Sequence, residues 1–144
     1  VGWIPIMANS KRILLVEDDH DVAQGTSMRL RRAGYHVIHA ADGEQGVSEA
    51  LKHGPDAILL DVRMPRMNGL DVLEELRKSH ETMKIPVVML SASLLDQQAA
   101  LEAGARYFLK KPYDRDTLLA AVECATKNPN LHLNRGCHEK HLNR

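Results

Sequence analysis

Four apolar runs in this 144-residue chain end in side chains that can do chemistry. Leu14-Leu-Val16 runs into Glu17 and Asp18, and Ala57-Ile-Leu-Leu60 into Asp61. Val87-Val-Met-Leu90 runs into Ser91, and Tyr107-Phe-Leu-Lys110 into Lys111. Short apolar runs bounded by turn residues read as strands buried on both faces, the kind found in parallel sheets. Ligands of open α/β sheets bind beyond the carboxyl ends of the strands, so these five residues, distant in sequence, converge on one edge. Three carboxylates gathered there repel one another and call for a counter-charge. An all-oxygen donor set suits a hard divalent ion, Mg²⁺ first and Mn²⁺ next. A lysine and a hydroxyl beside it supply the point charge and the hydrogen-bond donor that phosphoryl oxygens need. The chemistry described is a carboxylate nucleophile that accepts a phosphoryl group.

Positioning those residues requires a regular frame, and the chain reads as one. A strand at Arg12 to Val16 leads into a helix that Asp19 caps and Gly34 ends, with Arg29, Arg31 and Arg32 complementing its C-terminus. A second strand, Tyr35 to Ala40, is followed by Asp42-Gly43 and a helix through Leu51, closed by His53-Gly54-Pro55. After Asp61, Met64-Pro and Asn68-Gly mark a turn into a helix from about Leu70 to Ser79. Pro86 to Leu90 forms a fourth strand, and a helix rich in alanine and glutamine then reaches Ala103. Arg106 to Lys110 forms a fifth strand. The last helix opens at Asp114 or Asp116 and turns Leu118, Leu119, Val122 and Ala125 inward. Five strand–helix units with short connections imply right-handed crossovers and a parallel sheet covered on both faces.

Composition narrows the class. The content of 44% hydrophobic and 26% charged residues belongs to a soluble globular protein. A net charge of zero gives no global attraction to nucleic acid or to a membrane surface. One Trp, three Tyr and one Phe are too few for a stacking platform. No apolar run approaches the roughly 20 residues of a membrane span. Two cysteines, Cys124 and Cys137, make no framework and suggest a reducing, cytoplasmic setting, with Cys124 read as a small apolar residue. Residues 1–10 read as a leader in which Met7-Ala-Asn-Ser is a natural start. Residues 11–127 read as the domain, and residues 128–144 as a polar tail whose His132, Cys137, His138 and His141 need no metal to explain them.

Leu14-Leu-Val-Glu-Asp-Asp19, Asp61-Val-Arg-Met-Pro-Arg-Met-Asn-Gly69, Ser91-Ala and Ala103-Gly-Ala-Arg-Tyr-Phe-Leu-Lys-Lys-Pro-Tyr113 together resemble the receiver domains of two-component response regulators. The resemblance covers about residues 11 to 127. It implies a flavodoxin-like, doubly wound sheet of five parallel strands in the order 2-1-3-4-5 with five helices. It implies Asp61 as phosphoacceptor, Asp18 as direct metal ligand, Glu17 as the acid acting through water, and the backbone carbonyl of Arg63 as a further ligand of Mg²⁺ or Mn²⁺. Lys111, ahead of a cis bond to Pro112, would bind the phosphoryl oxygens, with Lys110 the lesser candidate. Ser91 would be the switch hydroxyl and Phe108 the switch aromatic. The donor would be a sensor histidine kinase or a histidine phosphotransfer protein, and the output an unknown partner protein. Neither direct nucleic-acid binding nor membrane attachment is expected. The chain would be a monomer or a weak phosphorylation-dependent dimer, and a switch that assists its own phosphorylation and dephosphorylation rather than an enzyme.

Four positions depart from the commoner family pattern. Glu17 stands where Asp is usual, and Phe108 where many members have Tyr. Arg63 and Ser93, each two residues past a site residue, are expected to flank the path of the hydrolysing water and tune the phosphoryl lifetime. Taken singly, Glu17 and Asp18 are ordinary helix caps, Asp61 a turn residue and Lys111 a solvated charge; their order and separation argue otherwise. Two rivals stand beside the stand-alone receiver. An aspartate-nucleophile phosphohydrolase would want a second acid where Arg63 stands. A receiver fragment of a DNA-binding regulator would need its second domain outside this chain.

Overall fold

A computed structural model of the chain describes residues 11–127. The leader and tail readings, including the tail histidines and Cys137, lie outside the described residues. The elements are β1 (Arg12–Val16), α1 (His20–Arg32), β2 (His36–Ala40), α2 (Gly43–His53), β3 (Ala57–Asp61), α3 (Gly69–Lys78), β4 (Val87–Ser91), a 3₁₀ turn (Leu94–Asp96), α4 (Gln97–Glu102), β5 (Tyr107–Lys110) and α5 (Arg115–Lys127). All ladders are parallel and the sheet order is β2-β1-β3-β4-β5. This is the expected doubly wound, flavodoxin-like sheet with five helices.

Alternation along the strands divides the core into two. Ile13, Leu15, Leu59 and Leu90 meet Ala23 and Leu30 of α1 and Leu118 and Val122 of α5 on one face. Leu14, Val16, Ile58, Leu60 and Met89 meet Ala50, Val72, Leu73, Leu76 and Ala100 of α2, α3 and α4 on the other. Every residue of β3 and of β4 is buried. Each leucine buried there stabilises the fold by roughly 2 kcal/mol relative to exposure, so the central strands are stiff supports for whatever stands at their ends.

The helix starts are set by side chains. Asp19 accepts from the amides of Asp21 and Val22, and Asp42 from Gln45. Asn68 and Asp71 form a reciprocal capping box at the head of α3. Asp114 Oδ1 accepts from the Thr117 amide at 2.8 Å, which settles the open choice at α5: Asp114 caps and Asp116 sits in the first turn. The alanine- and glutamine-rich stretch departs from a simple helix. It opens with the 3₁₀ turn, leaving α4 only 6 residues and no side-chain cap.

Cys124 is 4% exposed in the core, as its reading as a small apolar residue requires. Among the described residues no helix is long and apolar enough to cross a membrane.

Gly25, in the interior of α1, would meet nothing within 4 Å if it gained a Cβ. Gly25→Ala is therefore expected to stabilise the domain by about 0.5–1 kcal/mol through helix propensity and reduced freedom of the unfolded chain. A urea-unfolding midpoint that does not rise would contradict this.

Candidate functional site

The sheet order reverses between β1 and β3, because the chain leaves β1 for β2 on one side and returns to β3 on the other. The carboxyl ends of β1 and β3 therefore open the crevice where ligands of such sheets sit. Glu17 and Asp18 follow β1 directly and Asp61 is the last residue of β3. Carboxylate oxygens of the three lie within 4.8 Å of one another. Glu17 is 0% and Asp61 3% exposed, while Asp18 faces solvent.

Lys111 completes the cluster from the loop after β5. Its Nζ lies 2.8 Å from Glu17 Oε1 and 3.2 Å from Asp61 Oδ1. The bond from Lys111 to Pro112 is cis, as the resemblance implied, and the Lys111 amide donates to the Ser91 carbonyl at 2.7 Å. Farther along, Tyr113 and Thr26 hydroxyls share a hydrogen bond of 2.8 Å, and Arg29 donates to the Tyr113 carbonyl. The loop carrying Lys111 is thus tied to β4 on one side and to α1 on the other. Lys110, the lesser candidate, turns its Nζ to the carbonyl of Lys111 instead.

Burial first, and then the charge of Glu17, push the Asp61 carboxyl up to about 7 against the pull of Lys111. For Lys111, burial alone would lower the ammonium, but Glu17 and Asp61 outweigh it and the net shift is upward. Three ionised carboxylates facing this one cation would leave two negative charges uncompensated. Glu17 Oε2 accepts from the Asp19 amide at 3.2 Å, whereas buried Oε1 has an ion pair with Lys111 and no hydrogen bond. An all-oxygen donor set with a residual charge of this size fits a hard divalent cation.

Gly69, the first residue of α3, lies against the end of β3. Its amide donates to the Val62 carbonyl at 2.8 Å. A Cβ there would sit 2.9 Å from Val62 Cα and 3.0 Å from the Asp61 carbonyl carbon. Backbone approaches backbone directly behind Asp61, which only glycine permits.

Ser91 ends β4 and is 1% exposed. Its hydroxyl donates to Asp96 Oδ2 at 2.6 Å and accepts from the Ser93 amide at 3.0 Å. Arg63 grips the same carboxylate with two hydrogen bonds, Nε to Oδ2 at 3.0 Å and Nη2 to Oδ1 at 2.9 Å. Arg63 first, and Ser91 to a lesser degree, hold the Asp96 carboxyl below the usual range. The Ser93 hydroxyl is engaged locally, accepting from the Leu95 amide. Phe108 is 2% exposed, in register with Met89 and packed in the α2–α3–α4 half of the core.

Glu17, Asp18, Asp61 and Lys111 are therefore brought together, and Ser91 stands one residue beyond the register partner of Asp61. No sequence signal singles out Asp96. It lies 5 residues from Ser91 and 33 from Arg63, spacings that belong to no local pattern, in a segment that read only as the start of a helix.

Comparison with known proteins agrees with this architecture. Residues 13–123 match the family model of the response regulator receiver domain. The transcriptional regulatory protein CpxR of Escherichia coli is 42% identical over 113 residues, covering 77% of this chain and 47% of CpxR. The DNA-binding dual master transcriptional regulator RpaA of Synechocystis is 38% identical over 113 residues, again covering 77% of this chain and 47% of the relative. The chain thus spans about half the length of these curated relatives. Among solved structures, the Vibrio cholerae chemotaxis protein CheY4 is similar with a TM-score of 0.76 and 32% identity, over 81% of this chain and 98% of that one. The receiver domain of the Pseudomonas aeruginosa sensor histidine kinase PA1611, a structure with a magnesium ion coordinated in its active-site cleft, aligns with a TM-score of 0.78 and 33% identity, over 83% and 99%. The chain belongs to the family of receiver domains of two-component response regulators.

Proposed function

We propose that this domain is a phosphoryl-accepting switch in which Asp61 takes the group from the phosphohistidine of a sensor histidine kinase or a histidine phosphotransfer protein. One observation carries the reading: three carboxylates converge within 4.8 Å while a single ammonium pairs with two of them. An Asp61 oxygen attacks phosphorus as the P–N bond breaks, and the electron pair leaves with the imidazole. Asp18, Asp61, Glu17 through water and the Arg63 carbonyl would hold Mg²⁺, with Mn²⁺ as the substitute. The magnesium seen in the PA1611 receiver supports this choice. When bound, the ion offsets charge on the transferring oxygens. Lys111 steadies the same oxygens from the opposite side, and Ser91 donates to the phosphoryl group once it is on Asp61. The movement of Ser91, followed by Phe108, reshapes the face of α4, β5 and α5 that a partner protein reads. The domain turns over no external substrate; it assists its own phosphorylation and hydrolysis, and works in the cytoplasm.

The test is intact mass after incubation with Mg²⁺ and acetyl phosphate, which donates by P–O cleavage with acetate leaving. One phosphoryl mass is expected, absent without metal and absent in Asp61→Asn. No gain in any sample would leave a binding module with the fold but without the chemistry.

A second reading has its own observation. CpxR and RpaA, named as transcriptional regulators, are about twice the length of the match. In that reading residues 11–127 perform the same chemistry as the receiver part of a DNA-binding regulator. Immunoblotting the source cells with an antibody to this domain separates the two: a band of this chain's size supports the stand-alone receiver, one of roughly 1.7 times that size the longer regulator.

A further inference from the structure

A serine hydroxyl has one proton to donate, and in this structure Asp96 holds the proton of Ser91. The O···O distance of 2.6 Å is that of a charge-assisted hydrogen bond. Asp96 is not placed there by the helix it precedes, because its side chain makes no cap to α4. Its carboxylate is instead held by the planar fork of Arg63, at 3.0 and 2.9 Å. Arg63 is two residues past Asp61, and Ser91 is one past the register partner of Asp61. The chain of contacts Arg63–Asp96–Ser91 therefore starts and ends beside the nucleophile without including it.

We propose that Asp96 is a positioning residue for phosphoryl acceptance: it competes with a phosphoryl group on Asp61 for the single proton of Ser91, and Arg63 keeps it in place to do so. The proposal rests on the reading of Asp61 as acceptor and Ser91 as donor to the phosphoryl group. With Asp96 engaged, the state without phosphoryl is favoured. Phosphoryl acceptance must break a hydrogen bond to a charged group before Ser91 can turn, and such a bond is worth about a tenfold shift in equilibrium or more.

The experiment uses beryllofluoride, a phosphoryl mimic that bonds to a carboxylate oxygen, titrated calorimetrically into the full chain with Mg²⁺ present. Asp96→Ala is expected to tighten binding about tenfold. Ser91→Ala should weaken it. In the Ser91→Ala background, Asp96→Ala should change binding less than twofold, because the proton competed for is gone. Tightening of equal size in both backgrounds would mean that Asp96 acts only through its negative charge, and would overturn the proposal. So would no tightening at all. Should Asp96→Ala fail to fold, Asp96→Leu, which keeps much of the volume but offers the Ser91 hydroxyl no acceptor, carries the same comparison. If the unaltered chain shows no Mg²⁺-dependent binding that Asp61→Asn abolishes, the underlying reading of the site falls too, a result distinct from normal binding that ignores Asp96.

Discussion

Gly69→Ala is expected to lower the stability of the domain by about 3 kcal/mol or more, and to remove phosphoryl acceptance from any fraction that stays folded. Overpacking a filled site usually costs about 1–3 kcal/mol, because some side chain can swing aside. Here nothing flexible is available. The added methyl would meet the carbonyl group of Asp61 and Val62 Cα, the latter at 2.9 Å. These atoms belong to the buried end of β3, which is hydrogen-bonded to β1 and β4, and the Val62 amide is itself fixed to the Leu90 carbonyl at 2.9 Å. Relief must come from moving α3 away, which breaks the bond from the Gly69 amide to the Val62 carbonyl and loosens the cap at Asn68, or from moving Asp61. Urea unfolding of Gly69→Ala beside Gly25→Ala reads the contrast directly: two glycine-to-alanine changes within helices, one at a first residue and one in an interior, with opposite signs. A loss under about 1 kcal/mol at Gly69 would show that the approach of α3 to β3 is softer than the geometry implies.

The contrast also marks what a sequence can reveal. The strands were legible because apolar runs of the right length stop at breakers, and their boundaries moved by only one or two residues, as at β2, which begins at His36 rather than Tyr35. Parallel order followed from the strand–helix alternation, and it was that order that brought Glu17, Asp18, Asp61 and Lys111 to one edge. The resemblance named roles for single residues, and the geometry adds their surroundings: why Asp61 is crowded, and that Lys111 is shared between Glu17 and Asp61. What stayed illegible depends on side-chain direction across the top of the sheet. Arg63 and Ser93 read as flanks of a water path, yet the Arg63 side chain grips Asp96 and the Ser93 hydroxyl caps the 3₁₀ turn. Nothing in the spacing of Arg63, Ser91 and Asp96 gives their contact away, because the segments after β3 and after β4 set it together. The short 3₁₀ turn is likewise invisible to a period of 3.6, and it is this turn that brings Asp96 back over Ser91.

The second large effect is expected from Asp61→Asn in the absence of metal: at pH 8 the variant should be more stable than the parent by a few kcal/mol. The Asp61 carboxyl has an ordinary value of 3.8 and is raised to about 7 in the folded protein, by burial first and by the charge of Glu17 second. Between those two values the folded state binds more protons than the unfolded chain, so the contribution of Asp61 to stability falls as pH rises from about 4 to about 7. Above that window the ionised carboxylate carries its full penalty, with a ceiling on the order of 4 kcal/mol for a shift of about three units. Asparagine removes the charge and keeps the shape, while Lys111 retains Glu17 as its partner at 2.8 Å. The advantage of the variant should therefore shrink steadily as the pH is lowered toward 4, because protonation relieves the parent of the same charge. Mg²⁺ supplies the opposing arm. An ion bound by the folded state alone adds about 2.7 kcal/mol at a hundred times its dissociation constant, and it should favour the parent, which offers the full set of carboxylates. Thermal or urea unfolding at pH 5 and pH 8, each with and without Mg²⁺, measures both arms in one series. Should Asp61→Asn prove less stable than the parent at pH 8 without metal, the pairing with Lys111 outweighs the crowding. The acid cluster would then be a self-sufficient ion pair rather than a site held ready for a cation.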